Sequence, residues 1–335
     1  MQPTIEKPYV ASEKRYDDSV MKFRRCGDSG LVLPALSLGF WWNFGAIDPL
    51  QDSKAKMFYA FDNGIYCFDL ANNYGPPYGS AEETFGQIYK KNFVPYRHEL
   101  VVTTKAGYDM WEGPNGKGSS RKMLLTSLDE SLKRMNLDYV DIFYSHRYDG
   151  ITPIEETMQA LADAVRQGKA LYVGLSNYPI DRLKEAVAIL KELHAPCILY
   201  QGRQSMLSRD IEKEILPFLE KERIGYTAFS PLAKGLLSDK YLNGIPLDSR
   251  AALKKHFNTD DITPTLIQTL KKLNDIANSR SQSLAQMAVS WLLAQNVTTS
   301  VILGPRTLPQ LKDLIKSVEK SEFTIEETEA IENLI

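Results

Sequence analysis

Asp69 lies in CFDLA, and Tyr74 follows it in NNYG; Lys105 closes ELVVTTK, and His146 comes at the end of DIFYSHR. Each strand-like segment thus delivers a polar side chain at its C-terminal tip, where a charge is costly unless it is partnered. An aspartate, a lysine, a tyrosine and a histidine brought together make a device for proton transfer. The carboxylate holds the ammonium, the ammonium lowers the phenol pKa, and the imidazole orients a carbonyl. Alternation puts Val101, Thr103 and Lys105 on one face of their strand, and Ile142, Tyr144 and His146 on one face of theirs. Taken alone, each has a bland reading: a strand-end histidine is a satisfied core residue, and a strand-end aspartate is a loop cap. It is the joint pattern, one member from each of three consecutive strands, that points to a site.

Such a site needs a frame that gathers strand ends. Candidate strands occupy residues 35–39, 67–71, 100–105, 141–146, 171–176, 198–201, 225–230 and 300–304. Segments with helical spacing lie between them, including 119–135, where Ser119 and Ser120 are candidate N-caps, and 153–167. Strand–helix alternation means parallel pairing with right-handed crossovers, and eight strands point to a closed (β/α)8 TIM barrel over residues 21–335. Before it, MKFRRC and LVLPALSLG flank Gly27-Asp28-Ser29-Gly30 and read as a β-hairpin. Residues 1–20, polar and carrying Pro3 and Pro8, read as an N-terminal arm. Between the seventh and eighth strands, KGLLSDKYLNGIPLDSR reads as a long functional loop, followed by helical segments at 266–277 and 283–294. Extra C-terminal helices are expected at 308–318 and 325–335.

The chain has 335 residues with 40 basic and 42 acidic side chains, a formal net charge of -2, which gives no basic face for a nucleic acid. Cys26, Cys67 and Cys197 form no CxxC pair, so neither a metal site nor a disulfide framework is expected, and a reducing compartment fits. MQPTIEKPYV lacks the apolar core of a signal peptide, and no apolar run is long enough to span a bilayer. The expectation is a cytoplasmic protein that makes no membrane contact.

FDLANNYG, VVTTKAG and VDIFYSH resemble the three signature regions of the aldo-keto reductases, and the resemblance runs from Lys22 onward. Within the family, NNYGPPYGSAEE, KAGYDMWEGPNGKGSSRK and SLKRMNLDYVDIFYSHR are most similar to the bacterial branch that reduces glyceraldehyde 3-phosphate and methylglyoxal, itself similar to the potassium-channel β subunits. The resemblance implies NADPH-dependent reduction of short aldehydes, with Asp69, Tyr74, Lys105 and His146 as the catalytic tetrad and Tyr74 as the general acid. The competing implication is a cofactor-binding regulatory subunit with slow catalysis. A phosphosugar isomerase on the same barrel is a third reading, by fold analogy alone.

No GxGxxG or GxxxxGK[ST] is present, and the glycines of GPNGKGSS have the wrong spacing for either. The resemblance implies another mode, with NADPH extended across the barrel mouth. Ser176, Asn177 and Gln201 would hold the carboxamide, and Phe229 would stack on the nicotinamide. Ser230, Pro231, Leu232 and Gly235 fall in the loop over the pyrophosphate, with Lys240 and Arg250 as phosphate partners. Gly304, Arg306, Gln310 and Asp313 match the stretch at the adenosine end, and Trp41 joins the cofactor set. Trp42, Tyr108, Trp111 and Arg147 would line the substrate pocket. Arg147, Arg203 and Lys117 are candidate partners for a substrate phosphate. The chain departs from the branch at Leu314, where an asparagine is usual, and at Arg306, where a serine is usual. It departs again at GRQSMLSR, which puts Gln204 and Ser205 at the pocket wall. The implied partner is a small aldehyde; the sequence leaves self-association into a homo-oligomer open.

Overall fold

The computed structural model describes residues 8–245 and 262–335. Strands β1 (Phe23–Arg25) and β2 (Val32–Pro34) pair antiparallel, with Phe23 opposite Pro34. The next eight strands are β3 (Leu36–Gly39), β4 (Cys67–Asp69), β5 (Val101–Ala106), β6 (Val140–Ser145), β7 (Ala170–Ser176), β8 (Cys197–Arg203), β9 (Gly225–Phe229) and β10 (Thr298–Leu303). All pair in parallel and close into a barrel in the order β10-β3-β4-β5-β6-β7-β8-β9. Outside them run α1 (Leu50–Asp62), α2 (Ser80–Asn92), α3 (Arg121–Met135), α4 (Ile154–Arg166), α5 (Ile180–Glu192) and α6 (Ile215–Glu222). Two helices, α7 (Pro264–Ser279) and α8 (Leu284–Leu293), precede the last strand, and α9 (Leu308–Ile315) and α10 (Ile325–Glu332) follow it. This is the eight-stranded barrel with hairpin and extra C-terminal helices that the alternation predicts.

Most boundaries move by one or two residues from the pattern-based ones, and two of the shifts bear on the site. β4 stops at Asp69, and β6 stops at Ser145, so His146 lies one residue past its strand. Its amide still donates to the Ala106 carbonyl at 2.9 Å, which carries the β5–β6 register onward and keeps its side chain aimed at the mouth. At α3, Ser120 accepts from the Met123 amide at 3.2 Å and is the cap. Ser119 instead donates its hydroxyl to the Arg147 carbonyl at 3.1 Å.

Alternation splits each strand between two apolar regions. Outward side chains form the main core against the helices, with Phe68, Val102, Phe143 and Leu175 among its members. Inward ones fill the lumen, where Cys67, Val101, Ile142, Tyr144, Ile198 and Leu199 pack with Cys26 and Leu33 of the hairpin segment, which plugs that end. The three cysteines are buried and free, and burial pushes each thiol up to about 12. Inside the barrel, the Tyr144 ring lies against its cross-strand partner Gly174; a Cβ there would stand 2.3 Å from the ring.

Residues 8–20 lie along the flank. The Tyr9 ring stacks on Phe58 at 3.8 Å and its hydroxyl donates to Asp62, while Arg15 pairs with Glu99 at 2.7 Å. At the other end the buried Arg280 pairs with Glu327 and covers Phe323, fastening α10 beside α7. Among the described residues no helix is long and apolar enough to cross a membrane.

Gly174→Ala should lower the unfolding free energy by about 1–3 kcal/mol, the usual range for overpacking a filled interior. Urea denaturation measures it, and an unchanged midpoint would mean that Tyr144 yields freely.

Candidate active site

Sheet register does most of the positioning. Asp69 stands directly opposite Thr103 in the β4–β5 pair, and Lys105, two residues on and on the same face, stands opposite Tyr144 of β6. The Lys105 ammonium donates to Asp69 Oδ2 at 2.7 Å and to the Leu70 carbonyl at 2.7 Å, and lies 3.5 Å from the Tyr74 hydroxyl. Those three contacts match its three donors. Asp69 Oδ1 accepts from Thr103 Oγ1 at 2.7 Å and from Gln201 Nε2 at 2.9 Å. Tyr74 comes from the loop after β4; its carbonyl accepts from the Gly79 and Ala81 amides, which anchors that loop at the start of α2. The His146 ring lies 5.8 Å from the Tyr74 ring, and Tyr108 meets His146 edge-on at 4.6 Å. All four residues proposed from the strand tips therefore converge at the C-terminal mouth of the barrel, as do Tyr108 and Gln201.

The electrostatics correct one expectation. Burial, with the negative charge of Asp69 and then Tyr108 behind it, holds the Tyr74 phenol well above its ordinary 10, so Lys105 does not bring it down. Burial is the larger effect: desolvation penalises a phenolate by more than the Lys105 ammonium, 3.5 Å from the hydroxyl, offsets. Tyr74 is thereby kept protonated, a loaded proton donor. Burial also lowers Lys105, and Asp69 works against that. His146 falls well below 6.5 through burial and the cations of Lys105 and Arg147, so its imidazole is neutral.

The rim holds most of the residues implied for a nicotinamide cofactor. Ser176 ends β7 opposite Gln201 of β8, Phe229 ends β9, and Gly304 follows β10. Asn177, in the left-handed region at φ 54, donates to Ser176 Oγ and to the His146 carbonyl. In the loop after β9, Ser230 and Gly235 also take positive φ, and Pro231 and Leu232 complete the turn between them. Lys240 is half-buried on a short 3-10 turn, and Arg250 lies outside the described residues.

Two observations fit a ligand lying along this rim. His146 Nδ1 is buried with no partner among the described residues. A Cβ added at Gly304 would meet nothing within 4 Å, so no protein contact requires glycine there.

The outer end is less committed. Arg306 is exposed just before α9, whose capping box uses Gln310: its Oε1 accepts from the Arg306 amide at 2.9 Å and from the Thr307 amide. Asp313 accepts from Ser283 and Gln286 of α8, and Leu314 is core-packed and presents no polar group.

On the substrate side Trp41 is exposed and T-shaped to Trp42 at 5.7 Å, and Trp111 is exposed. The Arg147 guanidinium covers Tyr108 at 4.4 Å while its Nε donates to the Gly107 carbonyl, so the loop does turn it back to the mouth. Arg203 faces Asp210 loosely at 3.7 Å, and Lys117 is exposed. Gln204 donates to Glu212 and Gln295, so its amide is engaged within the protein, and Ser205 caps a turn at Leu207. Sequence reasoning missed the contact of Thr103 with Asp69. Its signal was present: Thr103 is the inward residue one pleat before Lys105.

A parallel eight-stranded barrel whose mouth gathers an Asp–Lys–Tyr–His constellation defines a class of carbonyl oxidoreductases. Residues 35–335 match the profile of the Aldo/keto reductase family, and the chain belongs to that family of NAD(P)H-using oxidoreductases. It is 49% identical over 333 residues to L-glyceraldehyde 3-phosphate reductase of Escherichia coli K12, covering 98% of this chain and 95% of that protein. It is 37% identical over 308 residues to a probable voltage-gated potassium channel subunit beta of Oryza sativa subsp. japonica, covering 89% and 92%. The corresponding protein of Arabidopsis thaliana is 36% identical over 307 residues.

The His146 shift has a sign that can be checked. Below about pH 6.5 the unfolded chain takes up a proton on this side chain that the folded protein refuses. Its contribution therefore favours folding above that pH and is lost as pH falls toward the lower folded value. Histidine NMR between pH 5.5 and 8 should find the His146 ring neutral throughout; titration near 6.5 would contradict its buried placement.

Proposed function

We propose that this chain reduces short aldehydes to alcohols with NADPH, using Tyr74 as the general acid. The observation that carries the reading is the buried Tyr74 hydroxyl, 3.5 Å from an ammonium held by Asp69 and beside a neutral His146. A nicotinamide bound at the rim would supply the hydride to the carbonyl carbon. Tyr74 gives its proton to the carbonyl oxygen, which completes the alcohol. Lys105 then stabilises the phenolate until Tyr74 is reprotonated from solvent, and Asp69 keeps Lys105 charged and in place. Neutral His146 donates a hydrogen bond to the carbonyl oxygen, polarising it and fixing its direction. General acid catalysis of this kind contributes roughly 10²–10⁴-fold, with orientation supplying much of the rest.

The rim residues take the roles that the family pattern implies: Ser176, Asn177 and Gln201 at the carboxamide, Phe229 against the ring, the 230–235 loop and Lys240 at the phosphates. Arg306 takes the 2′-phosphate, for which a planar guanidinium is suited. Trp42, Tyr108 and Trp111 form the desolvating wall of the substrate pocket. Similarity to the 49% identical L-glyceraldehyde 3-phosphate reductase favours glyceraldehyde 3-phosphate as a substrate, and methylglyoxal is the second short aldehyde we propose. Arg147 is the phosphate partner we favour, because it is drawn to the mouth over Tyr108 and no carboxylate pairs with it among the described residues. Residues 21–335 act as one barrel domain behind the 1–20 arm, in the cytoplasm.

The 37% identical channel subunit keeps a second reading alive: a cofactor-binding regulatory subunit with slow catalysis. Repeated turnover separates the two, since a regulatory subunit would hold cofactor and stall.

Tyr74→Phe should bind NADPH as the wild type does and lose methylglyoxal reduction by at least about 10²-fold. Steady-state rates and cofactor titration check both halves; a near wild-type rate would remove Tyr74 from its role. For the cofactor, NADPH should bind more tightly than NADH, and Arg306→Ala should narrow the gap by about 10–150-fold, the range for a charge-assisted contact. Equal wild-type affinities, measured by fluorescence titration, would sink that assignment.

A further inference from the structure

VVTTK carries two adjacent threonines, and the barrel sends them opposite ways. Thr103 points into the lumen and donates to Asp69 Oδ1 at 2.7 Å. Thr104 points outward and donates to Glu82 Oε1 at 2.6 Å, where Arg134 also meets Glu82 at 2.8 Å. Both threonines are buried, and both hydroxyls satisfy a buried carboxylate, so they differ in which carboxylate they serve.

We propose that Thr103 is a positioning residue for the reaction: its hydroxyl fixes the rotation of the Asp69 carboxylate so that Oδ2 faces Lys105. The argument starts from register. Asp69 and Thr103 are direct cross-strand partners, so the hydroxyl and the carboxylate are held side by side by two backbones. Oδ1 then has two donors, Thr103 and Gln201, and Oδ2 is left for the ammonium. Gln201 reaches in from β8, across the lumen, on a longer side chain with more rotatable bonds. Without Thr103 the carboxylate is restrained on one side only and turns. Its contact with Lys105 then lengthens, and the phenol loses the charge that stabilises its deprotonated form. This rests on the proposed roles of Tyr74, Lys105 and Asp69, and extends them to a residue that touches neither substrate nor cofactor.

The pH dependence follows in sign. Lys105 faces Asp69 and Cys67 from β4, Tyr74 from the following loop, and Tyr144 and His146 from β6 and its end, with the charge of Glu82 on α2 felt from the outer side of the strand. Asp69 is the contact that most opposes the lowering of Lys105 by burial. A looser Asp69 contact lets burial pull Lys105 further down, so activity should be lost at a lower pH on the basic side.

The test compares full-length Thr103→Val, Thr103→Ser and Thr104→Val in methylglyoxal reduction with NADPH. Thr103→Val should lose about 10–100-fold in kcat, the order of one hydrogen bond to a charged group, with KM little changed and the basic limb displaced to lower pH. Thr103→Ser keeps the hydroxyl and should return within about threefold of wild type. Thr104→Val removes an equally buried bond and should lower thermal stability while leaving the pH profile alone. A wild-type kcat and profile in Thr103→Val, or the same profile change in Thr104→Val, overturns the proposal. If Thr103→Val does not fold, Thr103→Cys, nearly the same size and only a weak donor, carries the same expectation. A crystal structure of the Thr103 variant gives a readout independent of turnover: the Asp69 carboxylate should be rotated away from Lys105, and an unmoved carboxylate refutes the role. A wild type that reduces no aldehyde would instead refute the proposed function, leaving that structural readout to decide on Thr103.

Discussion

A lysine ammonium buried in a barrel lumen is the constraint around which the mouth is arranged. Lys105 is inaccessible to solvent, so its charge must be balanced from within. Asp69 supplies the countercharge at 2.7 Å, and the Leu70 carbonyl takes a second proton donor. Removing one member of such a buried pair typically costs about 3–5 kcal/mol, because the survivor is left charged and alone. The pair in turn needs Asp69 to be held, which falls to Thr103 and Gln201 from two other strands. Three strands, β4, β5 and β8, therefore meet in one polar knot, and each side chain in it owes its position to the register of its strand.

The packing beneath and around the knot makes that register reliable. Below it, the hairpin plug and the Tyr144–Gly174 contact fill the lumen, so the polar layer has a floor that excludes water. Outside it, Glu82 and Arg134 tie α2 to α3 and to Thr104 of β5. The same dryness explains why burial dominates the protonation of Tyr74 and His146: one stays a proton donor, the other stays neutral. A neutral imidazole and a protonated phenol facing one space suit an incoming carbonyl oxygen better than a charged pair would.

Around the rim the protein is more open. Asn177 joins the Ser176 hydroxyl to the His146 carbonyl, which couples the β7 edge to the histidine backbone. Arg147 covers the Tyr108 ring, and Tyr108 meets His146 edge-on, an arrangement in which a half-buried cation and a buried imidazole share one aromatic spacer. These contacts depend on loops leaving the strands with particular turns, including the left-handed Asn177 and Ser230, and not on alternation alone.

The sequence by itself determined the barrel and the identity of its polar tips. Period-two alternation, strand–helix order and the placing of Asp69, Lys105 and His146 at successive strand ends are local properties, so they can be read without coordinates. Even the hairpin was legible from its Gly/Asp cluster. What only the tertiary structure decided is which atom each tip faces. Alternation already puts Thr103 and Thr104 on opposite faces, but that one serves Asp69 and the other Glu82 depends on what the neighbouring strand and helix bring there. Likewise Gln310, which the family pattern assigns to a ligand, completes the α9 capping box, and Asp313 accepts from the Ser283 and Gln286 side chains at the start of α8. The direction of the Tyr74 shift was decided there too: it depends first on the depth of burial and then on the charge of Asp69, and a linear string contains no depth.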